Sequence, residues 1–119
     1  MGGGKGNFGG ISKAFRSKVQ KISSNLPKNP NTLIKKGWIE KTDIRNLSAN
    51  RDFENSNGLK LHFDKEIKGA PGFRGKDHYH LYNPNTKNDG DLYLDQFGNS
   101  VAKGSKASHL LPKNQRRKK

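Results

Sequence analysis

Residues 72–84 read Gly-Phe-Arg-Gly-Lys-Asp-His-Tyr-His-Leu-Tyr-Asn-Pro. Within them His78, His80 and Tyr82 alternate with Tyr79 and Leu81. Successive strand side chains point to opposite faces. The order therefore predicts a strand over 77–83, with Tyr79 and Leu81 in the core and both imidazoles on the other face. Two residues of strand rise set those imidazoles about 7 Å apart. A second alternating run, Leu59-Lys-Leu-His-Phe-Asp64, predicts a strand with Leu59, Leu61 and Phe63 inward and Lys60, His62 and Asp64 outward.

Little apolar material is available to cover the inner face. Only 29% of the 119 residues are hydrophobic, which suits one domain with a small core. Residues 11–22 predict an amphipathic helix. Ile11, Phe15, Val19 and Ile22 share one face, and Lys13, Arg16, Lys18 and Lys21 lie mostly off it. The helix is short and its apolar face modest, so packing on a sheet suits it better than lying on a membrane. Pro27, Pro30 and the asparagines make 23–31 a loop. Thr32 is expected to cap a short helix through Lys36, and Gly37 to end it. Trp38 and Ile39 are expected to anchor the core. A helical turn is expected over Thr42 to Leu47, and polar loop over 48–57. Gly69 to Gly75 reads as a loop and 84–90 as a turn. Asp91 to Asp95 reads as a third strand, Phe97-Gly-Asn99 as a turn, and Ser100 to Lys103 as a fourth short strand. Helices first, then strands with short connections, predicts an α+β fold with N-terminal helices packed on a small antiparallel β-sheet. The divisions are a flexible glycine-rich linker at 1–10, a domain at 11–112 and a basic tail at 113–119, disordered unless bound.

The net charge of +14 is unevenly placed. Residues 1–39 hold eight Lys/Arg and no acid, 40–95 hold nine against ten Asp/Glu, and 96–119 hold seven and no acid. Two polybasic ends around a nearly neutral middle favour a polyanion, nucleic acid above all. There are no cysteines, which excludes disulfides and thiolate metal sites. No apolar run approaches membrane-spanning length, and Met1-Gly-Gly-Gly-Lys does not open a signal peptide.

The chemistry gathers in two clusters. His78 and His80 share a face, and paired histidines suit general acid–base work near neutral pH. Cleavage of RNA through its own 2′-hydroxyl needs a base, an acid for the leaving 5′-oxygen, and cations for the phosphate. His78, His80 and His109, with Arg74, Lys76 and Lys103, can supply these. The second cluster, Lys103-Gly-Ser-Lys-Ala-Ser-His109, adds Ser105, Lys106 and Ser108 beside glycine amides, a combination that suits phosphate. Arg116 and Arg117 extend the basic surface. The candidate catalytic set is thus His78, His80, Ser105, Ser108 and His109. No G-x-S-x-G elbow supports a serine hydrolase. His62 could join the histidine pair and bind zinc if the strands pair, but solvent exposure is the simpler expectation. Asp77-His78, Asn99 and His109 follow the order of an HNH metal nuclease, although Gly104 and the serines argue against the helix that motif needs.

Gly72 to Pro112 resembles the C-terminal toxin modules of bacterial polymorphic toxins of the contact-dependent inhibition, Rhs and LXG types. The segments GFRGKDHYHLYNP, LYLDQFGN and KGSKASHLLP carry the likeness. Many such tips resemble the barnase-like superfamily of metal-independent ribonucleases, though a clear glutamate base of the barnase kind is missing here. The resemblance implies an endoribonuclease without metal or cofactor, acting on tRNA, rRNA or mRNA and monomeric when free. It also implies secretion or cell-surface delivery within a larger toxin, action in the target-cell cytoplasm, and neutralisation by a cognate immunity protein. The cationic surface makes that protein acidic, with Tyr82, Phe73 and Phe97 as candidate anchors. The alternatives are an HNH-like metal-dependent DNase toxin and a non-catalytic basic nucleic-acid-binding protein.

Overall fold

A computed structural model describes residues 12–43 and 50–113. The 1–10 linker, Ile11, most of the turn expected over Thr42 to Leu47, and Arg116 and Arg117 lie outside them. The first helix, α1 (Lys13–Ser24), starts where a hydroxyl can close it: Ser12 Oγ accepts from the Phe15 amide at 3.0 Å. Val19 is fully buried, and Phe15 and Ile22 pack beside it, as the apolar stripe requires. The opposite end of the chain holds α1 in place. Ser23 Oγ donates to the Gln96 carbonyl at 2.9 Å, and Gly98 lies against the Arg16 backbone. A Cβ on Gly98 would come within 3.0 Å of Arg16 Cα, and its φ of +90° already favours glycine.

The second helix, α2 (Asn31–Lys35), follows Pro30 and is ended by Gly37 at φ +104°. Thr32 is not its cap. Thr32 already lies inside the first turn, and the Asn29 side chain instead accepts from the Asn31 amide at 2.9 Å. Trp38 enters the core, but Ile39 does not: it is 59% exposed, because it faces away from Trp38 on an edge strand.

Six strands form one antiparallel meander among the described residues. They are β1 (Ile39–Glu40), β2 (Asn50–Glu54), β3 (Lys60–Asp64), β4 (His78–Tyr82), β5 (Tyr93–Leu94) and β6 (Ser100–Val101). The α+β expectation with an antiparallel sheet therefore holds. The 48–57 loop does not, since it contains β2. Phe53 alone gives β2 an apolar anchor, and its remaining stability comes from cross-strand polar pairs such as Arg51 with Glu40 at 2.8 Å. β5 and β6 are shorter than the strands expected over 91–95 and 100–103 because turns occupy their ends. A 3₁₀ turn spans Asp89–Asp91, a turn covers Lys103–Gly104, and a second 3₁₀ turn follows at Lys106–Ser108. Gly72–Gly75 is likewise a 3₁₀ turn within the expected loop.

The inner face carries the rung Phe53–Leu61–Leu81–Leu94 and, beside it, Phe63 paired with Tyr79. Each such apolar side chain contributes about 1.5–3 kcal/mol when fully buried. Tyr79 is fully buried, and its hydroxyl donates to the Pro27 carbonyl at 2.6 Å, so the sheet is tied to the loop after α1. Leu110 makes an isolated bridge with Tyr79, with backbone bonds of 2.7 and 2.8 Å. β3 pairs along one edge of β4, and β5 covers only the far end of the other. Leu110 takes the part of that edge left open.

Candidate functional site

The outer face of β2, β3 and β4 is a polar ladder. One rung is Asp52–His62–His80 and the next is Asn50–Asp64–His78. The bridge at Tyr79 turns Leu110 inward, and the preceding residue, His109, turns to the outer face beside the rungs. The four histidines of the chain thus meet at one place. His78 and His80 lie 5.0 Å apart by ring centroids, His78 and His109 4.9 Å, and His80 and His109 4.8 Å. The first pair is closer than strand spacing alone would set, because the rings meet edge to face at 89°.

Asp64 joins the cluster. Its Oδ1 is 2.7 Å from His62 Nε2, and its Oδ2 is 3.2 Å from His78 Nε2 and 3.6 Å from His80 Nε2. Behind His62, Asp52 Oδ1 lies 2.6 Å from His62 Nδ1. A carboxylate at each ring nitrogen requires a hydrogen on both, so His62 is an imidazolium. Burial pulls its pKa down, but the bonds to Asp64 and Asp52 outweigh burial and hold it at about 9. Burial raises the Asp64 carboxyl, yet the bonds from His62 and His78 prevail and keep it well below the usual carboxylate range. His62 is therefore no solvent-facing residue. Its side chain is 19% exposed and clamped between two acids.

The other three rings differ. His78 Nδ1 donates to the Lys76 carbonyl at 2.9 Å while Nε2 faces Asp64. Burial disfavours its charge, but these partners raise its pKa. His80 is buried and stacked on Tyr93 at 4.5 Å, and its Nδ1 has no hydrogen-bond partner. Burial, then the neighbouring His78 and His109, push it down to about 4. His109 Nδ1 faces the Lys106 carbonyl at 3.3 Å, and Phe73 stacks on the ring at 4.4 Å and 10°. Burial and His78 lower its pKa. His109 is half-buried, and with Nδ1 held its Nε2 lone pair is left available.

A cleft of about 560 Å³ opens over this cluster, lined by Asp64, His78, His80 and His109 with Lys65 and Arg74 at its walls. A larger cleft, about 830 Å³, lies beside Lys60 and Tyr82 and touches none of the four histidines, so the smaller one is where the titratable cluster opens.

The expected phosphate ligands are only partly gathered. Arg74 lines the cleft. Lys76 and Lys106 are exposed and contribute their backbone carbonyls to His78 and His109. Lys103 is exposed, with its amide bonded to the Asp89 carbonyl at 2.8 Å. The two serines do not stand as catalytic groups. Ser108 is fully buried and its hydroxyl donates to the Ser105 carbonyl at 2.8 Å, while Ser105 Oγ donates to the Ala102 carbonyl at 2.7 Å. Both hold the turn that aims His109. The HNH order does not converge either. His109 follows a 3₁₀ turn rather than sitting on a helix, Asn99 is tied to Asp95, and Asp77 accepts from the Glu66 amide. The residues that sequence reasoning missed are Asp64 and Asp52. Asp64 was legible as an outward residue of the best strand, whereas Asp52 sits in a stretch with no strand signal.

The ligating nitrogens of His78, His80 and His109 all lie within 4.8 Å of one another, so these three could hold a metal ion. No helix among the described residues is long and apolar enough to cross a membrane. No protein family, curated protein or solved structure matches this chain.

Proposed function

We propose that this domain is an endoribonuclease and the toxic tip of a larger bacterial toxin. The observation that carries this reading is the convergence of His62, His78 and His80 on Asp64, with His109 beside them, at a cleft flanked by Arg74 and Lys65. His109, held at Nδ1 and open at Nε2, takes the proton from a ribose 2′-hydroxyl. That oxygen attacks the adjacent phosphorus. His78, donating to Asp64 and already carrying both hydrogens, passes a proton to the departing 5′-oxygen as its bond to phosphorus breaks. The products are a 2′,3′-cyclic phosphate and a 5′-hydroxyl. Arg74, Lys76, Lys103 and Lys106 attract the backbone, and a guanidinium in the cleft wall can pair with the phosphate oxygens.

The same reading requires protection of the producing cell, and the cationic surface fits a small acidic immunity protein. Incubation of the purified chain with total RNA in EDTA, followed by end analysis, tests the enzymatic claim. Cyclic-phosphate and 5′-hydroxyl ends are expected. Intact RNA overturns it in favour of a binding protein, and cleavage of DNA that needs added metal overturns it in favour of a metal-dependent DNase.

A further inference from the structure

We infer that His78, His80 and His109 form a site for a borderline divalent cation such as Zn²⁺, and that filling it switches off the RNA chemistry proposed above. The second half rests on that functional reading; the first half does not.

The site has the features of an imidazole metal centre. Its three ligand nitrogens come from a strand and from a turn bridged to it, so the sheet register holds them together. Metal-binding histidines usually donate their other ring nitrogen to a carbonyl or carboxylate, which fixes the tautomer and aims the free lone pair. His78 Nδ1 meets the Lys76 carbonyl at 2.9 Å and His109 Nδ1 the Lys106 carbonyl at 3.3 Å. His109 Nε2 thereby keeps its lone pair, whereas on His78 the cation would displace the Nε2 hydrogen that otherwise goes to Asp64. His80, 7% exposed, is the third ligand and carries a buried nitrogen without a partner. An unsatisfied buried polar atom costs about 1–3 kcal/mol, and coordination through Nδ1 would satisfy it.

Charge and ligand chemistry point the same way. Asp64 Oδ2, at 3.2 Å from His78 Nε2 and 3.6 Å from His80 Nε2, places an anion beside the position a cation would take. Imidazole donors suit zinc, copper and nickel, whereas magnesium and calcium prefer oxygen. Zinc–nitrogen bonds of about 2.0–2.1 Å in a tetrahedron put ligand nitrogens roughly 3.4 Å apart. The widest present separation is 4.8 Å. Binding would therefore draw the three rings together by more than about 1 Å.

Acid–base catalysis and coordination then compete for the same electrons. A nitrogen bound to zinc can neither take the 2′-hydroxyl proton nor give one to the leaving oxygen. A divalent cation would thus be an off-switch, separate from any immunity protein.

The test uses the full 119-residue chain stripped of metal. Co²⁺ is titrated and followed by visible absorption, Zn²⁺ by calorimetry and by thermal melting, with Mg²⁺ as the comparison. One equivalent of Co²⁺ giving an intense tetrahedral spectrum that Zn²⁺ abolishes is expected, with a rise in Tm. His109→Ala should weaken Zn²⁺ binding at least tenfold, and His78→Gln should do the same should the first variant prove unstable. Stoichiometric Zn²⁺ should suppress RNA cleavage at least tenfold and EDTA restore it. Absence of stoichiometric binding, or binding indifferent to both substitutions, overturns the site. Binding through these histidines by a chain that never cleaves RNA upholds the site and overturns the switch together with the ribonuclease reading. Faster cleavage with Zn²⁺ overturns the switch alone.

Discussion

The carboxylate of Asp64 lies 3.2 Å from His78 Nε2, its direct neighbour across the β3–β4 ladder. The same carboxylate is held from behind by His62 at 2.7 Å, which is itself held by Asp52 at 2.6 Å. Asp52, His62, Asp64 and His78 thus form a line of alternating charge across three strands. The far end of the line, His78, faces the cleft.

Neutralising Asp64 should disarm His78 without closing the cleft. In Asp64→Asn, kcat for RNA cleavage should fall by about 10²-fold, the lower part of the range for a general acid, while KM changes little. Single-turnover kinetics, with circular dichroism to confirm the fold, measures this. An unchanged kcat would remove Asp64 from the mechanism.

Acid and base can be told apart with a substrate whose leaving group needs no proton. On ordinary RNA, His78→Ala and His109→Ala should each lose about 10²- to 10⁴-fold in rate. On a ribonucleotide aryl phosphodiester, whose phenolate departs unprotonated, His78→Ala should recover most of its activity and His109→Ala should not. The opposite pattern would exchange the two roles.

His62 should make stability fall on the alkaline side of neutrality. Its ordinary pKa is 6.5, and in the fold it is held at about 9. A raised pKa means that the folded state binds the proton more tightly, so the stabilisation is complete below about pH 6.5 and is lost as pH rises through about 9. Asp52, Asp64 and His80 are the titratable groups that face it. Urea unfolding between pH 6 and 9.5 should show this decline, and His62→Gln should flatten it while lowering stability at pH 6 by roughly 1–3 kcal/mol. An equal slope in both proteins would assign the decline to other groups.

The basic tail should act in capture rather than in chemistry. Removing residues 113–119, which carry Lys113, Arg116, Arg117, Lys118 and Lys119, should weaken RNA affinity and lower the slope of log affinity against log salt. The cleavage rate at saturation should survive. Loss of turnover with affinity intact would contradict this division.

The acidic partner is testable by co-expression with the adjacent downstream reading frame, which should bind and restore growth, with association slowing as salt rises. Phe97, 56% exposed, is the best placed of the three expected anchors, since Tyr82 and Phe73 are half-buried. A downstream protein that neither binds nor rescues growth would end the toxin–immunity reading even with RNA cleavage confirmed.

Periodicity is local, and it alone determined much here. The facing of Leu59, Leu61 and Phe63, and of Tyr79 and Leu81, followed from a period of two, and the Phe15–Val19–Ile22 stripe from a helical period. The same alternation put His62, Asp64, His78 and His80 on polar faces. Their mutual registration is not local. Slipping one strand by a single residue would turn each of these side chains to the other face, so the Asp64–His78 and His62–His80 pairs are decided by tertiary pairing. β2 has too little apolar content to announce itself, and it exists because β3 offers it a partner for each of its five residues. Asp52 reaches His62 only through that pairing. His109 is 29 residues beyond His80 in the chain, and a bridge between Tyr79 and Leu110 brings the two rings to 4.8 Å. Ser108 looked reactive beside His109, yet the turn buries its hydroxyl and uses it as a strut, because a 3₁₀ turn leaves carbonyls that a nearby side chain can satisfy.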